Sequence, residues 1–205
     1  MGQIKKYYTI FIVIFGLYNH LLFSAEKEHV NAQQLLEDSF RLAKVIFESD
    51  FRPTHLIALW RGGAPIGIAI EEYFHYKKRP IEHHAAVRVS SYRENDQKED
   101  VQVYHLEAVI KQIKSSDRLL IVDDLVDSGN SVLRLLKDIR EQCGENTPKE
   151  IKVATIYHKP ASASITPDYY LYETDKWVVF PHELEGLTAS EIEKYKGASV
   201  ARIVE

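Results

Sequence analysis

The sequence predicts an α/β domain whose central sheet is largely parallel and flanked by helices. Three observations predict it. Strand-length apolar runs alternate with segments of helical period along most of the chain. Two of those runs, residues 55–60 (HLIALW) and 119–122 (LLIV), are apolar without alternation, as strands covered on both faces are. Each is followed by a glycine-bearing turn and then a helix, the order that builds parallel sheets with ligand sites at the strands' carboxyl ends.

The elements follow in order. Asn31 can cap a helix, with Gln34 at capping-box spacing and Leu35, Leu36, Phe40, Ala43, Ile46 and Phe47 on one apolar face. Pro53 closes the connection to the 55–60 strand. Arg61-Gly62-Gly63-Ala64-Pro65 then opens a helix running through Tyr76. Residues 81–89 are β-rich, 90–101 read as a polar mobile loop, and a short helix spans about 106–113. After the 119–122 strand, Val132, Leu135, Leu136, Ile139 and Cys143 recur at spacings of three and four, an amphipathic helix. Strands are expected at 151–157, 169–172 and 177–180, and a helix with a tail from Ala189 on.

Composition narrows the function classes. The 205 residues suit one domain, or one domain with a tail, and 45% hydrophobic with 27% charged residues is ordinary for a globular protein. A net charge of −4 leaves no basic footprint, so nucleic acid is not an expected partner. The single cysteine, Cys143, rules out an intrachain disulfide and a cysteine-rich zinc site.

The first residues differ from the rest. Lys5 and Lys6 precede an apolar stretch at 7–23, then Ser24-Ala25 and the charged Glu26-Lys27-Glu28. That is the shape of a secretory signal or short membrane anchor, interrupted by Asn19 and His20 and ending on a Phe23 too large for an ordinary cleavage site. An over-extended start is the third reading. The expectation is an N-terminal segment at 1–29, a functional domain at 30–188 working in the cytoplasm, and a C-terminal tail at 189–205.

The chemistry concentrates in residues 119–131, LLIVDDLVDSGNS. A buried strand ends in Asp123 and Asp124. Asp127 follows, and Ser128-Gly129-Asn130-Ser131 turns into the next helix. Free amides and the positive end of the helix dipole make such a turn an anion site. Carboxylates beside an anion site call for a ligand carrying both phosphates and hydroxyls, or a metal. A phosphorylated sugar with Mg²⁺ meets both demands.

That ordered string resembles the signature for PRPP (5-phosphoribosyl-1-pyrophosphate) of the type I phosphoribosyltransferases, with serine at two positions where threonine is commoner. Trp60-Arg61-Gly62-Gly63 resembles the pyrophosphate loop of the purine members, in which the bond before the arginine position is often a non-proline cis peptide. Arg88 is a further candidate for pyrophosphate. Ser91-Tyr92 resembles the start of the family's catalytic lid, which would exclude water from activated PRPP. Lys159-Pro160 and Trp177-Val178 resemble the base pocket of the xanthine–guanine and hypoxanthine enzymes, and Glu183 matches an acid near the base and a second metal.

The resemblance implies a type I phosphoribosyltransferase fold with a small hood over the base, and transfer from PRPP to a 6-oxopurine with Mg²⁺ as cofactor. Asp123 and Asp124 would hold the ribose hydroxyls and metal, with Glu183 as a further metal ligand. Asp127 would take a proton from the base, and residues 127–131 would cradle the 5′-phosphate. Lys159 would donate to the purine oxygen, Trp177 would stack on the ring, and the backbone at Val178 would read its edge. No obligatory protein partner is implied beyond self-association into a dimer or tetramer. The alternatives are a PRPP-binding regulator without turnover and an enzyme for another base. Lys159 and Trp177 count against the first, since a sensor needs no base site.

Overall fold

A computed structural model describes residues 26–92 and 100–204. In chain order the elements are β1 (Lys27–His29), α1 (Ala32–Glu48), β2 (His55–Trp60), α2 (Gly63–Tyr76), β3 (His83–Tyr92), β4 (Asp100–Tyr104), α3 (Glu107–Ile110), β5 (Arg118–Val126), α4 (Asn130–Cys143), β6 (Glu150–His158), β7 (Tyr169–Glu173), β8 (Trp177–Val179), α5 (Ala189–Lys196) and α6 (Ala198–Val204). Six strands form one sheet in the order β4-β3-β2-β5-β6-β7, all parallel except β4. β1 and β8 form a separate two-stranded parallel sheet, the hood.

The main sheet is α/β as expected, and its strands sort their side chains by parity. On β2, Leu56 and Ala58 face a core shared with Leu42, Ala43 and Ile46 of α1 and Ile66, Ile70 and Phe74 of α2. Ile57 and Leu59 face the other core, with Val132, Leu135 and Ile139 of α4. β5 splits the same way, Leu120 and Val122 against Leu119 and Ile121. Burial on both faces is the reason these runs lack alternation. From β2 the chain crosses to β3 on one side, and from β5 it crosses to β6 on the other. The crevice at the carboxyl ends of β2 and β5 is therefore a topological switch point, the usual ligand position in open α/β sheets.

Local signals account for several boundaries. Asn31 caps α1, its Oδ1 accepting from Gln34 N at 2.8 Å. Thr188 and Glu191 form a capping box on α5. Gly197, at φ 93°, separates α5 from α6, so the C-terminal stretch is two helices and not one with a tail.

Two expectations are corrected. The loop set at 90–101 is shorter: β3 runs on to Tyr92, and β4 returns antiparallel with Ser90 opposite Gln102 and Tyr92 opposite Asp100. Val101 and Val103 alternate with polar neighbours in the pattern of a half-covered edge strand, a period hidden by the charged residues before it. The lid expected from Ser91 and Tyr92 begins at the end of β3, and residues 93–99 lie outside the described residues. The domain also starts before Val30. β1 pairs Lys27 with Trp177 and His29 with Val179. Glu28 accepts from Tyr157 OH (3.2 Å) and Thr174 Oγ1 (3.1 Å), and the His29 ring stacks on Tyr195 at 3.5 Å. Three residues are too few to show a periodicity. Among the described residues no helix is long and apolar enough to cross a membrane.

Candidate active site

The site assembles where β2 and β5 end. The Arg61 loop presses onto β5 so closely that side chains are excluded. A Cβ on Gly62 would lie 1.9 Å from Asp124 Oδ2, and one on Gly63 would lie 2.2 Å from Val122 O. Two glycines are needed because the loop packs directly on the acids. The Trp60-Arg61 peptide bond is cis. α2 opens at Gly63 with no side-chain cap on its first amides. Arg88 is in register with Trp60 on the neighbouring strand, and its guanidinium lies 5.4 Å from the Tyr104 ring.

Asp123 and Asp124 sit side by side, with Asp123 Oδ1 accepting from Asp124 N at 3.0 Å. Burial, then the adjacent Asp124 carboxylate, pushes Asp123 well above the usual carboxylate range. His182 Nε2 lies 3.5 Å from Asp124 Oδ2. A divalent cation would relieve this pairing of acids. Among the described residues no cluster of three or more His, Cys, Asp or Glu side chains forms a metal cage. The donor set thus fits Mg²⁺ carried in with a polyphosphate, which holds by one or two carboxylates plus substrate oxygens. Glu183 does not join the two aspartates in such a cage. Its Oε2 accepts from Phe180 N at 2.9 Å and closes its own turn.

The turn at residues 127–131 leads directly from β5 into α4. Gly129 adopts φ 81°, and a Cβ there would meet Ile165 Cγ2 at 2.6 Å. α4 starts at Asn130, whose N–H donates to Ser128 Oγ at 3.3 Å, and Gly129 offers no side chain to cap the helix. A helix start without a side-chain cap of this kind is suited to an anion.

Asp127 is not free. Lys159 Nζ donates to its Oδ2 at 2.8 Å and Ser162 Oγ to its Oδ1 at 2.7 Å. Burial alone would raise this carboxyl, but the bonds from Lys159 and Ser162 outweigh it and hold it below its ordinary value.

A cavity of about 370 Å³ opens beside these groups, lined by Arg61, Trp177, Val179, Glu183, Leu184, Glu185 and Gly186. Trp177 and Glu183 line it. Val178 turns its side chain into the core and Val179 faces the cavity, which leaves untouched the expectation for Val178, a contact through its backbone. Lys159 is likewise absent from the lining and rests on Asp127. Ser162 and Leu184 are residues of this region that the sequence did not point to. The hydroxyl three places after Lys159 was the available signal for Ser162.

An α/β switch-point site that sets paired acids, an uncapped helix end and an arginine–glycine loop around one crevice defines an enzyme acting on a phosphorylated sugar. The phosphoribosyl transferase domain family matches residues 27–187. The chain belongs to that family, and it is a phosphoribosyltransferase. Its structure is similar to a purine phosphoribosyltransferase from Pyrococcus horikoshii, with a TM-score of 0.63 and 25% identity over 79% of this chain and 97% of that one. It is also similar to the xanthine-guanine-hypoxanthine phosphoribosyltransferase of Helicobacter pylori, at TM-score 0.62 and 24% identity over 78% and 96%. A hypothetical protein from Neisseria gonorrhoeae with bound ppGpp shares the fold at TM-score 0.67 and 17% identity, over 88% and 98%. No curated protein matches.

Proposed function

We propose that the protein transfers the 5-phosphoribosyl group of PRPP to a 6-oxopurine (xanthine, guanine or hypoxanthine), releasing pyrophosphate and a nucleoside 5′-monophosphate for purine salvage in the cytoplasm. The carrying observation is the contact of the Arg61 loop with Asp124 beside a cavity walled by Trp177. That contact supports the reading because it brings a glycine loop, paired acids and an aromatic face to one crevice.

In this reading residues 127–131 hold the 5′-phosphate and Asp123 and Asp124 the ribose hydroxyls. Arg61, the Gly62–Gly63 amides and Arg88 receive the pyrophosphate as the C1′–O bond breaks and C1′ gains oxocarbenium character. Mg²⁺, when bound with the substrate, supplies charge neutralisation for the leaving group. The unprotonated imidazole nitrogen of the base forms the new bond to C1′, and the proton on N7 passes to Asp127.

The Lys159–Asp127 pair gives that step an order. A 6-oxo group that draws Lys159 away leaves burial as the larger influence on Asp127, whose carboxylate becomes a better proton acceptor only once the base is seated.

The test is pyrophosphate release from PRPP and Mg²⁺ with hypoxanthine, guanine, xanthine, adenine and uracil in turn, using the chain from Glu26. Turnover confined to the oxopurines is expected. Preference for adenine or uracil overturns the base assignment, and no release with any base overturns the transfer reading in favour of a PRPP-binding regulator.

A further inference from the structure

The wall of the base cavity is held from outside by a residue near the start of the folded chain. Lys27, on β1, pairs across the two-stranded sheet with Trp177. Its ammonium lies 5.2 Å from the centre of the Trp177 ring. The same Nζ donates to Gly186 O at 3.1 Å and to Glu191 Oε1 at 2.7 Å. Trp177 and Gly186 both line the cavity, while Lys27 does not. The two lining residues also touch each other closely: Gly186 has φ 75°, and a Cβ there would come 3.1 Å from Trp177 Cη2. One ammonium thus bonds the rim and lies over the ring, and rim and ring meet.

Glu191 anchors the arrangement. Its second oxygen, Oε2, accepts from Thr188 N (2.8 Å) and Thr188 Oγ1 (2.9 Å), so the carboxylate that holds Lys27 is itself fixed by the cap of α5. Its pKa falls to about 2, through the Lys27 bond first and the Thr188 bonds next. A cation near an indole face is attracted by the ring quadrupole, and here the ammonium is also tied to Gly186 and Glu191. Trp177 itself keeps 44% of its surface exposed, too little packing to fix its ring alone.

We propose that Lys27 is a positioning residue for the acceptor base, setting the Trp177 ring and the Gly186 rim at the spacing a flat heterocycle needs. This rests on the reading of Trp177 as the stacking face. Lys27 acts on the base alone, because its partners Trp177, Gly186 and Glu191 lie on the hood or in the segment that follows it, and none lies on the Arg61 loop or residues 123–131.

The test is steady-state kinetics with the fastest of xanthine, guanine and hypoxanthine. Lys27→Met should raise KM for the base about five- to twentyfold, in the range of a constrained cation–aromatic contact plus a charge-assisted bond, with KM for PRPP within twofold of the parent. Lys27→Arg should restore most of the loss. Glu191→Gln, which keeps the ammonium but weakens its anchor, should fall between, and it serves if Lys27→Met does not fold. Trp177→Ala separates the two claims. If it raises the base KM and Lys27→Met does not, the role of Lys27 is overturned. If neither changes the base KM, the stacking reading fails and takes the inference with it. Equal losses for base and PRPP would show a merely structural role and also overturn it.

Discussion

The two halves of the crevice are built in opposite ways. The PRPP half rests on parallel strands buried on both faces, and residues 123–131 come from one unbroken string that follows its own strand into its own helix. The base half is a two-stranded sheet of three residues per strand, assembled from the beginning and end of the folded chain. Its ties join residues 146 to 164 positions apart: Glu28 to Thr174, Lys27 to Gly186 and Lys27 to Glu191. The first half is stabilised by continuous apolar burial, the second by the buried Val178 and Val179 together with a few long-range polar bonds. On the proposed reading, chemistry common to all PRPP reactions sits on the first half and choice of acceptor on the second.

The sharpest break in that comparison is expected at Asp127, which on the proposed reading serves both halves. Asp127→Asn should cost about 10²–10⁴ in turnover, the usual range for a general acid–base group, with PRPP binding retained. Unchanged turnover removes it from that role. The next effect in size separates the halves physically. A chain beginning at Val30 should lose base binding while still binding PRPP in titration calorimetry, whereas a chain beginning at Glu26 keeps both. Loss of PRPP binding in the shorter chain would show that the halves do not fold independently of β1.

A pH profile sharpens the link between them. Lys159 and Ser162 depress the Asp127 pKa, so the acid limb of kcat/KM, which reports the free enzyme, should lie below the ordinary carboxylate range. Lys159→Met removes the depressing partner, and the limb should move to higher pH. A limb that stays put excludes Asp127 as its origin. The same shift bears on stability: a carboxylate depressed on folding contributes above its unfolded pKa, and the contribution fades as pH falls through the folded value. Lys159→Met should therefore flatten the acid loss of stability.

The smallest effect belongs to the hood's tether. Glu28→Gln keeps the shape but weakens the charge-assisted bonds to Tyr157 and Thr174, for a loss of about 1 kcal/mol read as a few degrees in Tm. A loss of 3 kcal/mol or more would place the hood within the main cooperative unit.

What was legible in the sequence follows the same division. The Arg61 loop, Asp123, Asp124 and residues 127–131 were legible because a strand, a turn and a helix N-terminus lie consecutively, and their spacing is itself the geometry. Trp177 was legible only through resemblance. β1 was not legible at all, because three residues carry no period and their partners lie far along the chain. The lining role of Val179 was not legible for a related reason: which side of a short strand faces the cavity depends on how that strand is set against β1. The ion pair of Lys159 with Asp127 and the contribution of Ser162 needed the β5–β6 pairing to bring residues 32 and 35 positions apart together.

The stacking of His29 on Tyr195 has a consequence for the chain during its synthesis. Residues enter the world in order, and domains begin to fold before the last of them leave the ribosome. On the proposed reading, the residues that grip PRPP have all emerged once β6 is out. The acceptor pocket waits for α5 to follow and lock onto β1. A chain cut short before α5 would then hold the donor sugar with nowhere to pass it.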